Sequence, residues 1–206
     1  MKKFELTTEF ITNFLGTKLF RIKALVEFGK VEKGELGGFV EKEENLDHDG
    51  DAWVSGDARV YGNARVSGNA EVYGDAEVYG DAEVYGNARV YGDAMVYGNA
   101  RVSGNARVYG NAWVSGNARV SGDAWVSGDQ MYAAVKGFGS EYRNTTFFIT
   151  KDGNVCVNCG CFSGTLEQFR EKVEETHKDT KYAKEYLMIA DLMEMHFKEE
   201  LEKIKK

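Results

Sequence analysis

The amino-acid sequence predicts a mainly β protein built around a parallel β-helix. Three observations support this fold class. Thirteen valines recur at every sixth position from Val54 to Val126, an alanine stands two residues before each of them, and glycine followed by asparagine or aspartate closes each repeat. A six-residue period matches neither an α-helix nor a series of ordinary hairpins. It suits a short strand and a corner, repeated without insertion.

Each position of the repeat has a physical role. Valine is β-branched and favours extended backbone, and the alanine two residues earlier points to the same face. The residue between them points outward, and glycine with asparagine or aspartate forms the corner because these residues tolerate positive φ. Three repeats complete a turn of about 18 residues, so residues 52–129 are expected to form about four regular turns.

Composition and charge restrict the partners that we expect. The chain has 206 residues and a formal net charge of −7, which does not favour binding to duplex nucleic acid or to an anionic membrane. It contains no apolar run near the length of a membrane-spanning helix. All three cysteines lie between positions 156 and 161, unlike the disulfide framework of a secreted domain. We therefore expect a cytoplasmic protein.

Stacked turns place the outward residues in three columns. The first contains Trp53, Glu71, Arg89, Arg107 and Trp125, the second Arg59, Glu77, Met95 and Trp113, and the third Arg65, Glu83, Arg101 and Arg119. Opposite charges alternate in the early turns, where they stabilise neighbouring strands. The later turns carry more arginine than acid, so we expect unpaired arginines beside exposed tryptophans there. Tyrosines also form two columns, whereas the third face has only Tyr85 among serines.

The candidate ligand-binding residues lie in these last turns and in the segment that follows. They are Arg101, Arg107, Trp113, Arg119, Trp125, Ser140, Arg143 and Asn144. Guanidinium and indole groups together suit an anionic, planar ligand such as a nucleotide. The glycines before Ser140 would let backbone N–H groups approach a phosphate. A solvated face or a subunit contact is the alternative interpretation.

The flanks differ from the repeat. Residues 1–51 read as a β segment and a cap for the β-helix, with an imperfect first turn at Val40 and Leu46. Residues 130–206 read as a small ββαα module. Asp152-Gly153 joins the two strands of a hairpin, Thr165 to Gln168 forms a capping box, and a second helix reaches about residue 203.

The cysteines have a spacing that resembles a metal site. Cys156, Cys159 and Cys161 are zinc candidates by spacing, but a fourth ligand is not evident in the sequence. Thiols buried in a strand are the favoured interpretation. We therefore expect no metal and no cofactor.

Two resemblances extend this interpretation. The repeats, such as Val60-Tyr61-Gly62-Asn63-Ala64-Arg65, resemble the hexapeptide-repeat, left-handed β-helix superfamily. That resemblance implies the left-handed sense and assembly as a homotrimer. The flanks, including Gly37-Gly38-Phe39-Val40 and Gly160-Cys161-Phe162-Ser163-Gly164-Thr165-Leu166, resemble phage and prophage hexapeptide-repeat proteins with a small C-terminal module of unassigned function.

The activities known for this superfamily need residues that the coil lacks. Acyltransferases use a histidine base and a loop extruded from the coil, but residues 53–129 contain no histidine and no insertion. The related carbonic anhydrases need three histidines on the coil, whereas His48, His177 and His196 lie outside it. We therefore predict that the protein is not an enzyme.

The sequence thus predicts a non-catalytic, phage-type binding protein in the cytoplasm of a bacterial host. It would capture a host protein or a nucleotide-like defence signal and act as an anti-defence factor. A structural or assembly module without a small ligand is the first alternative, and an acyltransferase-like enzyme is the second.

Overall fold

The computed structural model describes residues 1–204. Three antiparallel strands open the chain: β1 (Phe4–Thr12), β2 (Lys18–Ala24) and β3 (Leu36–Val40). β3 then pairs in parallel with the first regular turns, with Val40 opposite Val60. After a 3-10 helix (Glu43–Asn45), Leu46 bridges to Val66. The imperfect first turn predicted at Val40 and Leu46 is confirmed, and it begins the β-helix.

The β-helix itself consists of thirteen short strands. They are β4 (Trp53–Val54), β5 (Arg59–Val60), β6 (Arg65–Val66), β7 (Glu71–Gly74), β8 (Glu77–Val78), β9 (Glu83–Val84), β10 (Arg89–Gly92), β11 (Met95–Val96), β12 (Arg101–Val102), β13 (Arg107–Val108), β14 (Trp113–Val114), β15 (Arg119–Val120) and β16 (Trp125–Val126). Every third strand joins the same parallel sheet, so the coil has three flat faces. The face β4-β7-β10-β13-β16 has five strands, and the coil has about five turns.

The interior of the coil is filled by the alanines and valines of the repeat, which are almost fully buried. Stacking in register places Glu71 beside Arg89, Arg89 beside Arg107, and Arg101 beside Arg119. The three predicted columns are therefore confirmed, and they follow directly from the period of the repeat.

The corners depend on glycine. Gly86 has φ +73°, and a Cβ placed on it would lie 3.1 Å from the backbone nitrogen of Gly104 in the next turn. Backbone conformation and close stacking therefore both select glycine at this position.

The C-terminal module contains a four-stranded antiparallel sheet and two helices. After a 3-10 helix (Asp129–Met131), its elements are β17 (Tyr132–Val135), β18 (Thr145–Ile149), β19 (Val155–Cys159), β20 (Phe162–Thr165), α1 (Leu166–His177) and α2 (Lys181–Ile204). The predicted hairpin, both helices and the capping box of α1 are present. The structure adds two strands to the predicted hairpin, because β17 and β20 pair with its outer edges.

This sheet lies between the end of the coil and the two helices. On one face, Phe147 packs edge-on against Phe169 of α1. On the other face, Thr146 Oγ1 accepts a hydrogen bond from the backbone N–H of Arg119 at 2.9 Å, and Asn158 Nδ2 donates to the carbonyl of Arg119 at 2.8 Å. Side chains thus replace the backbone partners that a further turn would supply to β15. The module is thereby fixed against the last arginines of the coil.

Candidate ligand-binding site

The three faces of the coil differ at the position after each valine. One face carries the ladder Tyr73, Tyr91 and Tyr109, and a second carries Tyr61, Tyr79 and Tyr97. Successive rings within each ladder are parallel, with centroids 4.8–5.1 Å apart. The third face is formed by β6, β9, β12 and β15 and carries Ser67, Tyr85, Ser103 and Ser121 at this position. We call it the serine face.

Small side chains on the serine face leave space beside Tyr85. A cavity of about 210 Å³ lies there, between Tyr85, Ser103 and Ser121 of the coil and Phe162 of the module. A neighbouring cavity of about 360 Å³ includes Asn144. Arg101, Arg119 and Gly160 line both cavities, and we call the pair the junction cavities. Ser103 and Ser121 line the smaller of the two, at positions where tyrosine continues the ladder on the other faces.

Three guanidinium groups converge on the junction cavities. Arg101 Nε lies 3.0 Å from Glu83 Oε2, and Arg143 Nη2 lies 3.7 Å from Glu141 Oε2. Arg119 Nη1 donates to the carbonyl of Gly160 at 3.3 Å, and no carboxylate of residues 1–204 lies within ion-pair distance of it. All three side chains are exposed, and three guanidinium groups beside two carboxylates give this junction net positive charge.

The module lines the cavities with residues of two segments, the loop before β18 and the turn after β19. Asn144 Nδ2 donates to the carbonyl of Asn117 at 3.0 Å and to Thr146 Oγ1 at 3.1 Å. Gly160 has φ +60°, and a Cβ on it would lie 2.5 Å from Arg143 Nη1. Glycine therefore allows both the turn and the close approach of the Arg143 guanidinium.

Of the eight predicted residues, Arg101, Arg119, Arg143 and Asn144 line the junction cavities. The structure places the other four elsewhere. Arg107 and Trp125 are neighbours on the Tyr73 face, where they line a separate cavity of about 380 Å³ with Lys151. Trp113 is 48% exposed on the remaining face. Each repeat of six residues moves the chain to the next face, so residues that are close in sequence here point in different directions.

The structure does not support a phosphate site at the glycines before Ser140 or an unpaired Arg101. Ser140 is exposed, and the backbone N–H of Gly139 donates to Glu185 Oε2 at 3.0 Å. A carboxylate of α2 thus occupies the position that a phosphate would take at Gly139. The expectation that Arg101 is unpaired was wrong, because Glu83 lies one turn earlier in the same column.

Sequence reasoning did not select Tyr85, Phe162 or Asn158. The available signal for Tyr85 was its position as the lone tyrosine in a column of serines. Phe162 and Asn158 reach the junction only through the docking of the module, and no local pattern indicates that contact.

The cysteines do not form a cluster. Cys156 and Cys159 are three residues apart on β19, so their side chains leave opposite faces of the strand. Burial raises the pKa of the Cys156 thiol. Cys159 Sγ lies 3.2 Å from Thr145 Oγ1, and Cys161 is exposed. Within residues 1–204, no group of three or more histidine, cysteine, aspartate or glutamate side chains is arranged to hold a metal ion.

The fold and the repeat define a β-solenoid repeat protein. A family model described as the YdcK beta solenoid repeat matches residues 52–68, 58–74, 82–98, 88–103, 100–116 and 112–128, about a third of the chain. No curated protein matches the chain.

Within residues 1–204, neither α1 nor α2 has both the length and the apolar character needed to cross a bilayer.

Proposed function

We propose that this protein is a non-catalytic binding protein that captures an anionic, planar ligand in the junction cavities. The observation that carries the proposal is the convergence of Arg101, Arg119 and Arg143 on cavities beside an exposed tyrosine. Guanidinium groups bind phosphate or carboxylate oxygens in pairs of parallel hydrogen bonds. An aromatic ring next to them offers a flat apolar surface to a base.

Charge and size both favour a nucleotide-like ligand. Glu83 and Glu141 offset Arg101 and Arg143, which leaves Arg119 as the cation without a carboxylate partner among the described residues. Ligand sites generally enclose about 300–1,000 Å³, and cavities of about 210 and 360 Å³ meet at Arg101 and Arg119. The phosphate would bind at the arginines, and the base would lie toward Tyr85 and Phe162.

The biological setting is proposed from the resemblance to phage and prophage hexapeptide-repeat proteins. A binding protein of that kind would act in the cytoplasm of a bacterial host. Capture of a nucleotide-like defence signal would make it an anti-defence factor, and a host protein with an acidic surface is the alternative ligand. The resemblance to the hexapeptide-repeat superfamily also supports a homotrimer assembled along the flat faces of the coil.

Titration calorimetry with cyclic and ADP-ribose-type nucleotides tests the proposal. We expect at least one ligand to bind, and Arg119→Ala to weaken it by about tenfold or more, because hydrogen bonds to charged groups contribute about 1.5–3 kcal/mol. Arg65→Ala is the matched control, since Arg65 belongs to the same column at the opposite end of the coil. Arg107→Ala controls for position, since Arg107 lies on another face. A panel without any binding heat would overturn the small-ligand proposal.

An assembly module without a small ligand is the second candidate. The observation that favours it is the pair of continuous tyrosine ladders, whose partly buried rings present flat strips suited to contact with another subunit. It predicts a stable oligomer in light scattering and no nucleotide binding. A thermal shift with acetyl-coenzyme A would instead support the acyltransferase-like alternative.

A further inference from the structure

The outer face of α2 carries an apolar stripe that the module does not cover. The inner face of α2 packs Tyr186, Ile189, Met193 and Phe197 into the core. On the opposite side, Met188, Leu192 and Met195 follow one another at helical spacing and are 71%, 49% and 68% exposed. Exposed apolar patches of this kind mark contact surfaces more often than isolated exposed residues do.

Charged residues of opposite sign continue the same stripe at its two ends. Lys181 and Lys184 lie at the N-terminal end, and Glu199 and Glu202 lie at the C-terminal end. All four are exposed, and none forms an ion pair with another residue of the described chain. The 3.6-residue helical period places them on the face of Met188 and Met195.

The positions of these charges are unfavourable with respect to the dipole of the helix that carries them. The helix dipole favours acidic side chains in the first turn and basic ones in the last turn. α2 has no acidic residue in its first turn, where Lys181 stands, and both glutamates of the stripe lie near its C-terminus. The charges of a second helix in antiparallel orientation would offset this unfavourable interaction with the dipole.

The stripe is symmetric about a point between Asp191 and Leu192. Lys181 and Glu202 are equally distant from that point, as are Lys184 and Glu199, and Met188 and Met195. A second α2 laid antiparallel on the first would place each lysine opposite a glutamate and each outer methionine opposite the other. The two Leu192 side chains would meet near the centre. Opposite charges in such positions attract and fix the register.

We infer that the outer face of α2 is a self-association surface, and that its partner is α2 of a second copy of this chain in antiparallel orientation. The contact is isologous, because both copies use the same residues. A contact formed by one helix face is expected to bury less than the roughly 800 Å² per partner of a standard interface, so we expect a weak, concentration-dependent pair. This inference is independent of the junction cavities. The α2 contact would join two copies of the monomer or oligomer that forms through the coil.

Two charge variants of the full-length protein test the surface. Lys181→Glu with Lys184→Glu makes all four charges acidic, and Glu199→Lys with Glu202→Lys makes them all basic. In sedimentation experiments over a concentration series, the wild-type mass should rise toward twice that of its smallest unit. Each variant alone should remain at the smallest unit, because like charges then face each other. An equimolar mixture of the two variants should regain the doubled mass.

Lys136→Glu is the control, since it reverses the charge of an exposed lysine outside α2 and should leave association unchanged. Circular dichroism of each variant checks that α2 remains helical. Recovery in the mixture cannot arise from misfolding, so it separates loss of contact from loss of structure. A wild-type mass that is independent of concentration, or a mixture that behaves as its two components do, would overturn the inference.

Discussion

The tyrosine faces and the serine face of this coil share one backbone and one core, yet they present different surfaces. On every face the valines and alanines are buried and the corners are glycine. The faces differ at the outward position of each repeat and at the residue after each valine, which is tyrosine in the ladders and mostly serine on the third face. Stacked rings occupy this position in the ladders, whereas Ser103 and Ser121 line one of the junction cavities on the serine face. Fold and binding surface are therefore encoded at separate positions of the repeat.

The largest effect is expected at the corners, which both kinds of face share. Gly86→Ala on the serine face and Gly92→Ala on a tyrosine face should each destabilise the fold by about 2–4 kcal/mol. Positive φ alone costs about 1–2 kcal/mol, and each new Cβ would lie 3.1 Å from a backbone nitrogen of the next turn. Urea denaturation measures both.

Gly122→Ala is the control for that pair, because its φ is +65° but no atom lies within 4 Å of its added Cβ. It should cost only the conformational part, about 1–2 kcal/mol. A clear difference between Gly86→Ala and Gly92→Ala would show that the faces do not share an equivalent backbone.

The next largest loss of stability is expected when a tyrosine of a ladder is replaced, and a smaller loss when Tyr85 is replaced. Tyr91→Ser should destabilise the fold by about 2–3 kcal/mol, because Tyr91 stacks on Tyr73 and Tyr109 and its burial is partly lost. Tyr85→Ser should cost less than about 1 kcal/mol, because Tyr85 is 39% exposed and has serines on both sides. Equal costs in thermal or urea unfolding would contradict the distinction between the faces.

A smaller effect is expected when the serine face is converted toward a tyrosine face. Ser103→Tyr would stack on Tyr85 and should stabilise the fold by about 0.5–1.5 kcal/mol. The same ring would fill the cavity beside Arg101, so nucleotide binding should fall sharply in calorimetry. Ser67→Tyr, on the other side of Tyr85, is the control, since Ser67 does not line the junction cavities. Unchanged binding in Ser103→Tyr would place the ligand elsewhere.

The smallest effect on stability near neutral pH is expected from ionisation of the tyrosine hydroxyls in the ladders. Burial raises the pKa of Tyr61, Tyr73 and Tyr79, and for Tyr61 the hydrogen bond that its hydroxyl donates to Glu77 Oε2 at 2.9 Å adds to this. The folded protein therefore keeps these protons when the unfolded chain releases them near pH 10. Stability should be constant below that pH and fall as the pH rises above it.

Replacement of all three tyrosines by phenylalanine tests that origin. The triple variant should show a shallower loss of stability in urea unfolding between about pH 10 and 11. An unchanged slope would assign the alkaline sensitivity to other groups.

Sequence reasoning reached the parts of this protein that depend on short-range patterns. The columns from Trp53 to Trp125 follow from counting repeats, and the capping box at Thr165 and Gln168 follows from two residues three apart. β17 and β20 were missed because each is four residues long with alanine, serine or glycine at its centre, and each becomes a strand by pairing with the hairpin. The same limit applied to the site, where four of the eight predicted residues meet and four lie elsewhere.

The sequence by itself determined the coil, its core and the column that each outward residue occupies, because a strict six-residue period and stacking between turns leave one register. Only the tertiary structure decided which column meets the module. That choice rests on contacts between residues far apart in the chain, such as Asn158 with Arg119 and Thr146 with Arg119. These contacts join Arg143 and Asn144 to the arginines of the serine face and leave Arg107 and Trp125 on another side. Periodicity is local and can be counted, whereas docking depends on the shapes and hydrogen-bonding groups of two folded surfaces.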